Sequence, residues 1–415
     1  MRLSGKSYLL LGIGLVTGVA AALQSFAIVN QRRAPARSLA LGMPFDGAAR
    51  ASLASLLQAV RIAKNPNSKP SRREVELASQ AFASEPLAKG SLPILVQSEV
   101  RQGKTGQAEL LLGSAGRLTR RDNLVNAMLI DDAMKRNEPK RAILLLGRAM
   151  AVSYKVRDLY VGRMAAATVN PGALSALPPL LGRRPEWGRE YWTTVAGNSA
   201  LVLNGARVRQ KIAGSPWNLN TPEESDFLLI RELANLDPGA ALKLSQALGL
   251  KRGSTSEILA NSDFRHEPRF VPLDWELLQS GDIGADIEPE AGRLVLSSLP
   301  GSSGIAARQL VQIGAPGRYR LRWKVSGLPA NTDASLKFRL ACAERSKTAA
   351  SIAPASLGRA TGNATLDVRV TSCGWYWATL EFDTSTSTEG VDVEVHQLSL
   401  RRVGAAPTAA DSLRS

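Results

Sequence analysis

Cysteine and histidine are scarce in this 415-residue chain, which holds two of each: Cys342 and Cys373, His266 and His396. With so few, and no histidine pair on one helical face, zinc has no ligand set. Neither histidine has a carboxylate at a recognisable spacing for acid–base work. A serine nucleophile is also missing. Gly301-Ser302-Ser303-Gly304 lacks the glycine two residues to either side of a serine that a nucleophile elbow needs, so it reads as a turn.

Acidic residues are in deficit, 36 against 52 lysines and arginines, for a formal net charge of +16. The deficit is local: residues 1–260 carry 35 basic and 19 acidic side chains, residues 261–403 carry 16 of each. A basic balance favours an acidic partner such as anionic lipid, acidic polysaccharide or nucleic acid. The cations are scattered at helical spacing, with no zinc-finger, helix-turn-helix or RNA-binding aromatic signature, so nucleic acid is not expected. The plain alternative is the solvated outer faces of helices. The densest acidic stretch, Asp274, Glu276, Asp282, Asp286, Glu288 and Glu290, lacks the alternation of a calcium loop. It offers a glycosidase pair only as any acidic loop does. The expectation is a non-enzymatic protein with no catalytic residue, no metal and no cofactor. The rival is an envelope glycan hydrolase or lyase working through those acids, and a purely structural envelope protein is a third reading.

Long apolar runs are absent but for one. Tyr8 to Val29 is uncharged, and its 22 residues as a helix of about 33 Å would cross a hydrocarbon core of about 30 Å. Gly14 and Gly18 have the spacing of close-packing membrane helices. Ala20, Ala21 and Ala22 would suit signal cleavage, but the run continues past them through Leu23, Phe26, Ile28 and Val29, which favours an uncleaved anchor. Flanking charge does not orient it, because Arg2, Lys6 and the amino terminus on one side balance Arg32, Arg33 and Arg37 on the other. Both cysteines fall in the part that reads as β, as one internal disulfide, Cys342 with Cys373, would. Two buried free thiols are the alternative. A disulfide places the bulk of a single-pass inner-membrane protein in the periplasm.

Five segments follow: an anchor at 8–29, a linker at 30–47, a helical repeat region at 48–250, a β-sandwich at 261–403 and a disordered tail at 404–415. In the helical region apolar residues recur three and four apart. Placing Gly103 over Asn137 aligns Ala108, Leu110, Leu111, Leu112, Gly113 and Ala115 with Ala142, Leu144, Leu145, Leu146, Gly147 and Ala149, an offset of 34 residues. Ala81 falls in phase with Ala115 and Ala149, and Pro86 follows it by five. These residues resemble the tetratricopeptide family, which implies stacked helical hairpins with a groove for a protein partner, or a spacer. Val96 and Ile130 stand where that family has Gly or Ala. Leu118-Thr119-Arg120-Arg121-Asp122 and Arg183-Arg184-Pro185-Glu186-Trp187 resemble membrane-anchored repeat proteins of alphaproteobacteria.

Beyond Asn261 the pattern becomes short alternating runs: 293–298, 305–313, 318–325, 335–342, 365–370, 376–382 and 391–400. In the third, Tyr319, Leu321, Trp323 and Val325 face inward and Arg318, Arg320, Arg322 and Lys324 outward. Asn261-Ser262-Asp263-Phe264, with Leu273 to Leu277 and Val393 to Leu400, resembles carbohydrate-binding-like jelly rolls. That resemblance implies sugar rings laid on flat aromatic faces. Period two puts Tyr376 inside and Trp375 with Trp377 outside, a candidate glycan platform. The alternative packs these tryptophans under a loop or against the helices. Trp275 and Trp323 are assigned to the core.

Overall fold

A computed structural model of the chain describes residues 5–42, 46–65, 68–88, 90–250, 257–329, 334–344, 352–358, 360–368 and 373–404, with side chains from residue 12 onward. All but the first residue of the expected tail lies outside the described residues, as do the last two positions of the expected strand at 365–370. The chain divides into two compact units, residues 1–176 and 177–415, so the helices from residue 177 onward group with the sheets.

The first unit opens with α1 (Gly5–Asn30). Its stretch Gly12–Asn30 has a mean hydropathy of 1.8 and is almost wholly exposed, long and apolar enough to cross a membrane by length and composition. Thr17 donates its hydroxyl to the Ile13 carbonyl at 2.8 Å, satisfying within the helix a group that lipid would not. The linker is not bare. It holds a six-residue helix, α2 (Pro35–Ala40), tied back where the Ser38 hydroxyl donates to the Ala27 carbonyl at 2.9 Å.

Three helical hairpins follow: α3 (Gly47–Lys64) with α4 (Arg72–Ser84), α5 (Ser91–Arg101) with α6 (Thr105–Leu118), and α7 (Asn123–Lys135) with α8 (Pro139–Val152). The period of 34 is a repeated backbone geometry. Gly103 and Asn137 both adopt the left-handed region, at φ 76° and 55°, which glycine and asparagine tolerate best. Around each, the hydrogen bonds match: Lys104 N–H to Glu99 carbonyl (3.0 Å) and Glu138 N–H to Ala133 carbonyl (2.9 Å). The alanines in phase also share a role. Ala81, Ala115 and Ala149 are fully buried, and each accepts the N–H that closes its helix, from Glu85, Thr119 and Ser153. In the aligned run Ala108, Leu112, Ala142 and Leu146 are buried, whereas Leu110 and Leu144 face out, the one-sided burial of a surface helix. After α9 (Arg157–Ala167), Pro171 opens a 3-10 turn at Pro171–Ala173.

The second unit begins with α10 (Leu177–Leu181), α11 (Gly188–Ala196), α12 (Ser199–Ala213), α13 (Glu224–Leu236) and α14 (Pro238–Ala247). Helices α11 and α12 approach so closely that a Cβ on Gly205 would collide with the Val195 side chain. Helices α12 and α13 are joined by a buried ion pair, Arg209 Nε to Asp226 Oδ1 at 2.6 Å and Nη2 to Oδ2 at 2.8 Å. Phe227 of α13 packs edge-on against Phe270, ring centroids 5.6 Å apart, which connects these helices to the segment entering the sheets.

The sandwich consists of two five-stranded antiparallel sheets. One orders β1 (Glu276–Leu277), β4 (Ser303–Gln312), β9 (Trp375–Asp383), β6 (Ser335–Cys342) and β7 (Ala355–Ser356). The other orders β2 (Ile283–Glu288), β3 (Arg293–Ser298), β10 (Val391–Gly404), β5 (Gly317–Ser326) and β8 (Ala360–Val368). Inward residues of both sheets form one core, with Leu321, Leu380, Phe338, Phe382 and Val393 fully buried. Trp275 and Trp323 lie in that core as expected; the Trp323 indole donates to the Gly358 carbonyl at 3.2 Å.

Part of the acidic stretch is not a loop. Ile283, Ala285 and Ile287 point inward along β2 while Asp286 and Glu288 point out. The alternation is half written in small residues, Gly284 and Ala285, which made it faint beside the acids.

Candidate functional site

Strand β9 alternates as period two requires: Tyr376, Ala378, Leu380 and Phe382 enter the core, leaving Trp375, Trp377, Thr379 and Glu381 on the outer face. The two tryptophans differ. Trp375 is only 9% exposed, at the end of the strand where the Cys342–Cys373 bridge ties the chain, so it lacks the open ring that was expected of it. Trp377 is partly exposed, between Leu310 of β4 and Ala341 of β6 in the register. The small Ala341, itself exposed, leaves the indole uncovered on that flank.

Arg308 covers the other flank. Its guanidinium carbon stands 4.4 Å from the Trp377 ring centroid, within reach of the ring's negative face. Glu276 of β1 fixes it by accepting from Arg308 Nε at 2.6 Å. Across the same face Arg339 of β6 pairs with Glu381 of β9 at 2.8 Å. The outer face thus presents one indole beside two arginine–carboxylate pairs, each pair keeping oxygen lone pairs and guanidinium protons accessible to solvent. Such a face can lay an apolar sugar surface on the ring and hydrogen-bond hydroxyls around it. The Arg308–Trp377–Glu276 grouping was not foreseen, since its members lie on three strands far apart in the chain.

The two cysteines are joined, Cα to Cα 6.0 Å, closing β6 onto the start of β9. The free-thiol alternative therefore does not hold.

Of the acids in the rival reading, Glu276 is held by Arg308, and Asp274 and Glu288 make contacts away from that face. Asp274 is buried, accepting the N–H of Trp275 at 2.8 Å and of Arg269 at 3.3 Å. Desolvation pushes its carboxyl up to about 6, against those hydrogen bonds and nearby His266. Glu288 and Glu394 both pair with Arg293, at 2.7 and 2.6 Å. The His396 ring shares a hydrogen bond of 2.8 Å with the Ser326 hydroxyl, and the His266 backbone N–H donates to the Asn261 side-chain oxygen at 3.2 Å. Among the described residues no group of three or more His, Cys, Asp or Glu is placed to hold a metal ion.

A pH dependence follows from Asp274. Its folded pKa, about 6, lies above the ordinary carboxylate value of 3.8, so the native state holds the proton more tightly. This contribution is fully present below about pH 4 and lost as pH rises through about 6, a change of about 2–3 kcal/mol. Urea unfolding across pH 4–7 is expected to show that fall in the parent, and Asp274→Asn to lack it. Equal slopes in both would contradict the assignment.

Among solved structures, the chain is similar to the arabinose-bound α-L-arabinofuranosidase MgGH51, at 16% identity and TM-score 0.28, covering 37% of this chain and 27% of that one. It is similar to TmCBM61 in complex with beta-1,4-galactotriose, at 14% identity and TM-score 0.27, covering 36% and 100%. A third is a family 29 carbohydrate binding module, at 13% identity and TM-score 0.20, covering 32% and 82%. The chain thus spans about a quarter of the length of the first. No protein-family model matches the chain, and no curated protein matches it.

Proposed function

We propose that this chain is a non-enzymatic envelope adaptor: α1 anchors it in the inner membrane, the helical hairpins bind or space a protein partner, and the sandwich recognises a glycan on the face around Trp377. The observation that carries this reading is a partly exposed indole on a rigid sheet, bounded by Arg308 with Glu276 and by Arg339 with Glu381. Rigid strands hold such a platform with little entropy left to lose on binding. The disulfide supports placing the sandwich on the oxidising, periplasmic side of the membrane. The hairpins repeat one geometry, and the exposed Leu110 and Leu144 at equivalent positions offer a partner the same apolar contact twice. A role in surface-polysaccharide export or assembly unites a membrane tether, a protein-facing array and a sugar-facing sheet.

The test is a glycan array probed with the detergent-solubilised full chain and with Trp377→Ala. Binding to a defined glycan class that Trp377→Ala weakens supports the reading. Parent protein that binds nothing, or an unchanged profile, overturns it.

A further inference from the structure

The other sheet carries a second, chemically different surface. Along β5 burial alternates without interruption, and the outward side chains are Arg318, Arg320, Arg322 and Lys324, all exposed. Successive members stand about 6.8 Å apart, two residues of extended chain. Arg401 of β10 lies directly opposite Arg320 in the register, a like-charge juxtaposition that disfavours the fold by itself. Arg318 has a distant carboxylate, Asp367 at 3.9 Å, and Arg401 reaches the buried Glu257 at 3.0 Å. Among the described residues Arg320, Arg322 and Lys324 have no acidic partner.

The module's neutral balance hides this row because its charges segregate. Carboxylates gather beyond one end of the row, where Glu288 and Glu394 pair with Arg293 and Glu394 also accepts the hydroxyl of Ser326 of β5 at 3.1 Å. Strand β8 borders the cations with Thr361, Asn363 and Thr365, each exposed and paired in register with Lys324, Arg322 and Arg320. A line of forked guanidinium groups takes carboxylates in two-point contact, and the adjoining hydroxyls and amide take sugar hydroxyls. The outward positions of β5 and β8 include no aromatic ring on which a nucleic-acid base would stack and no large apolar side chain for membrane insertion.

We propose that this face binds an acidic polysaccharide of the polyuronate type, its carboxylates placed along β5 and its hydroxyls along β8. The site is on a different sheet from Trp377 and stands or falls apart from that reading. The test measures binding of the full chain in non-ionic detergent to alginate, with neutral dextran and an oligodeoxythymidylate as comparison probes. The variant Arg320→Ser/Arg322→Ser/Lys324→Ser is expected to bind alginate at least about tenfold more weakly. Removing three exposed helical cations, as Arg207→Ser/Lys211→Ser/Arg231→Ser, is expected to change it by less than about twofold. Every substituted side chain is exposed, and matched melting curves check the fold. Equal loss in both triple variants would make the binding a net-charge effect and overturn the proposal. So would undiminished binding by the β5 variant, equal binding to dextran, or tighter binding to the oligonucleotide than to alginate.

Discussion

Arg209→Ala is expected to lower the unfolding free energy by about 3–5 kcal/mol, the usual cost of leaving one member of a buried ion pair behind. Asp226 is 1% exposed and receives two of its hydrogen bonds from Arg209. The guanidinium also donates to the carbonyl of Leu219 at 2.7 Å and of Thr221 at 3.3 Å, so one deletion strips a carboxylate and two backbone carbonyls of donors. Asp226 has a second duty, accepting the Glu223 N–H at 2.8 Å to cap α13. Arg209→Ala/Asp226→Leu removes the stranded charge and is expected to recover much of the loss. Urea unfolding of the three proteins checks this; a loss below about 1 kcal/mol in Arg209→Ala would mean the pair adds no more than an exposed one.

Cys342→Ser/Cys373→Ser is expected to destabilise the second unit by about 3–4 kcal/mol, the loop-closure value for the 31-residue separation that the bridge spans. Both single variants should behave like the double, because either one opens the loop. Reduced parent protein should melt with the double variant. Coincident melting of oxidised and reduced parent would contradict a stabilising role for the bridge.

Much of the architecture was legible from local pattern. The half-buried strands β5 and β6 were visible because alternate Arg or Lys and apolar residues leave one answer for each side chain. The hairpins showed through their period because Gly103 and Asn137 repeat a backbone requirement, not merely a composition. Strand β2 escaped because Gly284 and Ala285 blur its alternation and acids dominate its sequence. Parity placed Trp375 and Trp377 on the same side, but parity does not say which ring is covered; that depends on what packs at each end of the strand. Nothing local marked Arg308 as the neighbour of Trp377, or Arg209 as the partner of Asp226, since each pairing forms only when distant segments meet. The cations of β5 were placed outward from sequence, yet the want of an acidic partner for Arg320, Arg322 and Lys324 among the described residues became visible only in the register with β8 and β10.

The most direct test of the central claim is the dissociation constant of the full chain for the glycan that the array selects, measured for the parent and Trp377→Ala at matched melting temperature. Loss of a stacking indole is expected to weaken binding about tenfold or more. An unchanged constant, with the fold intact, would contradict a glycan platform on this sheet.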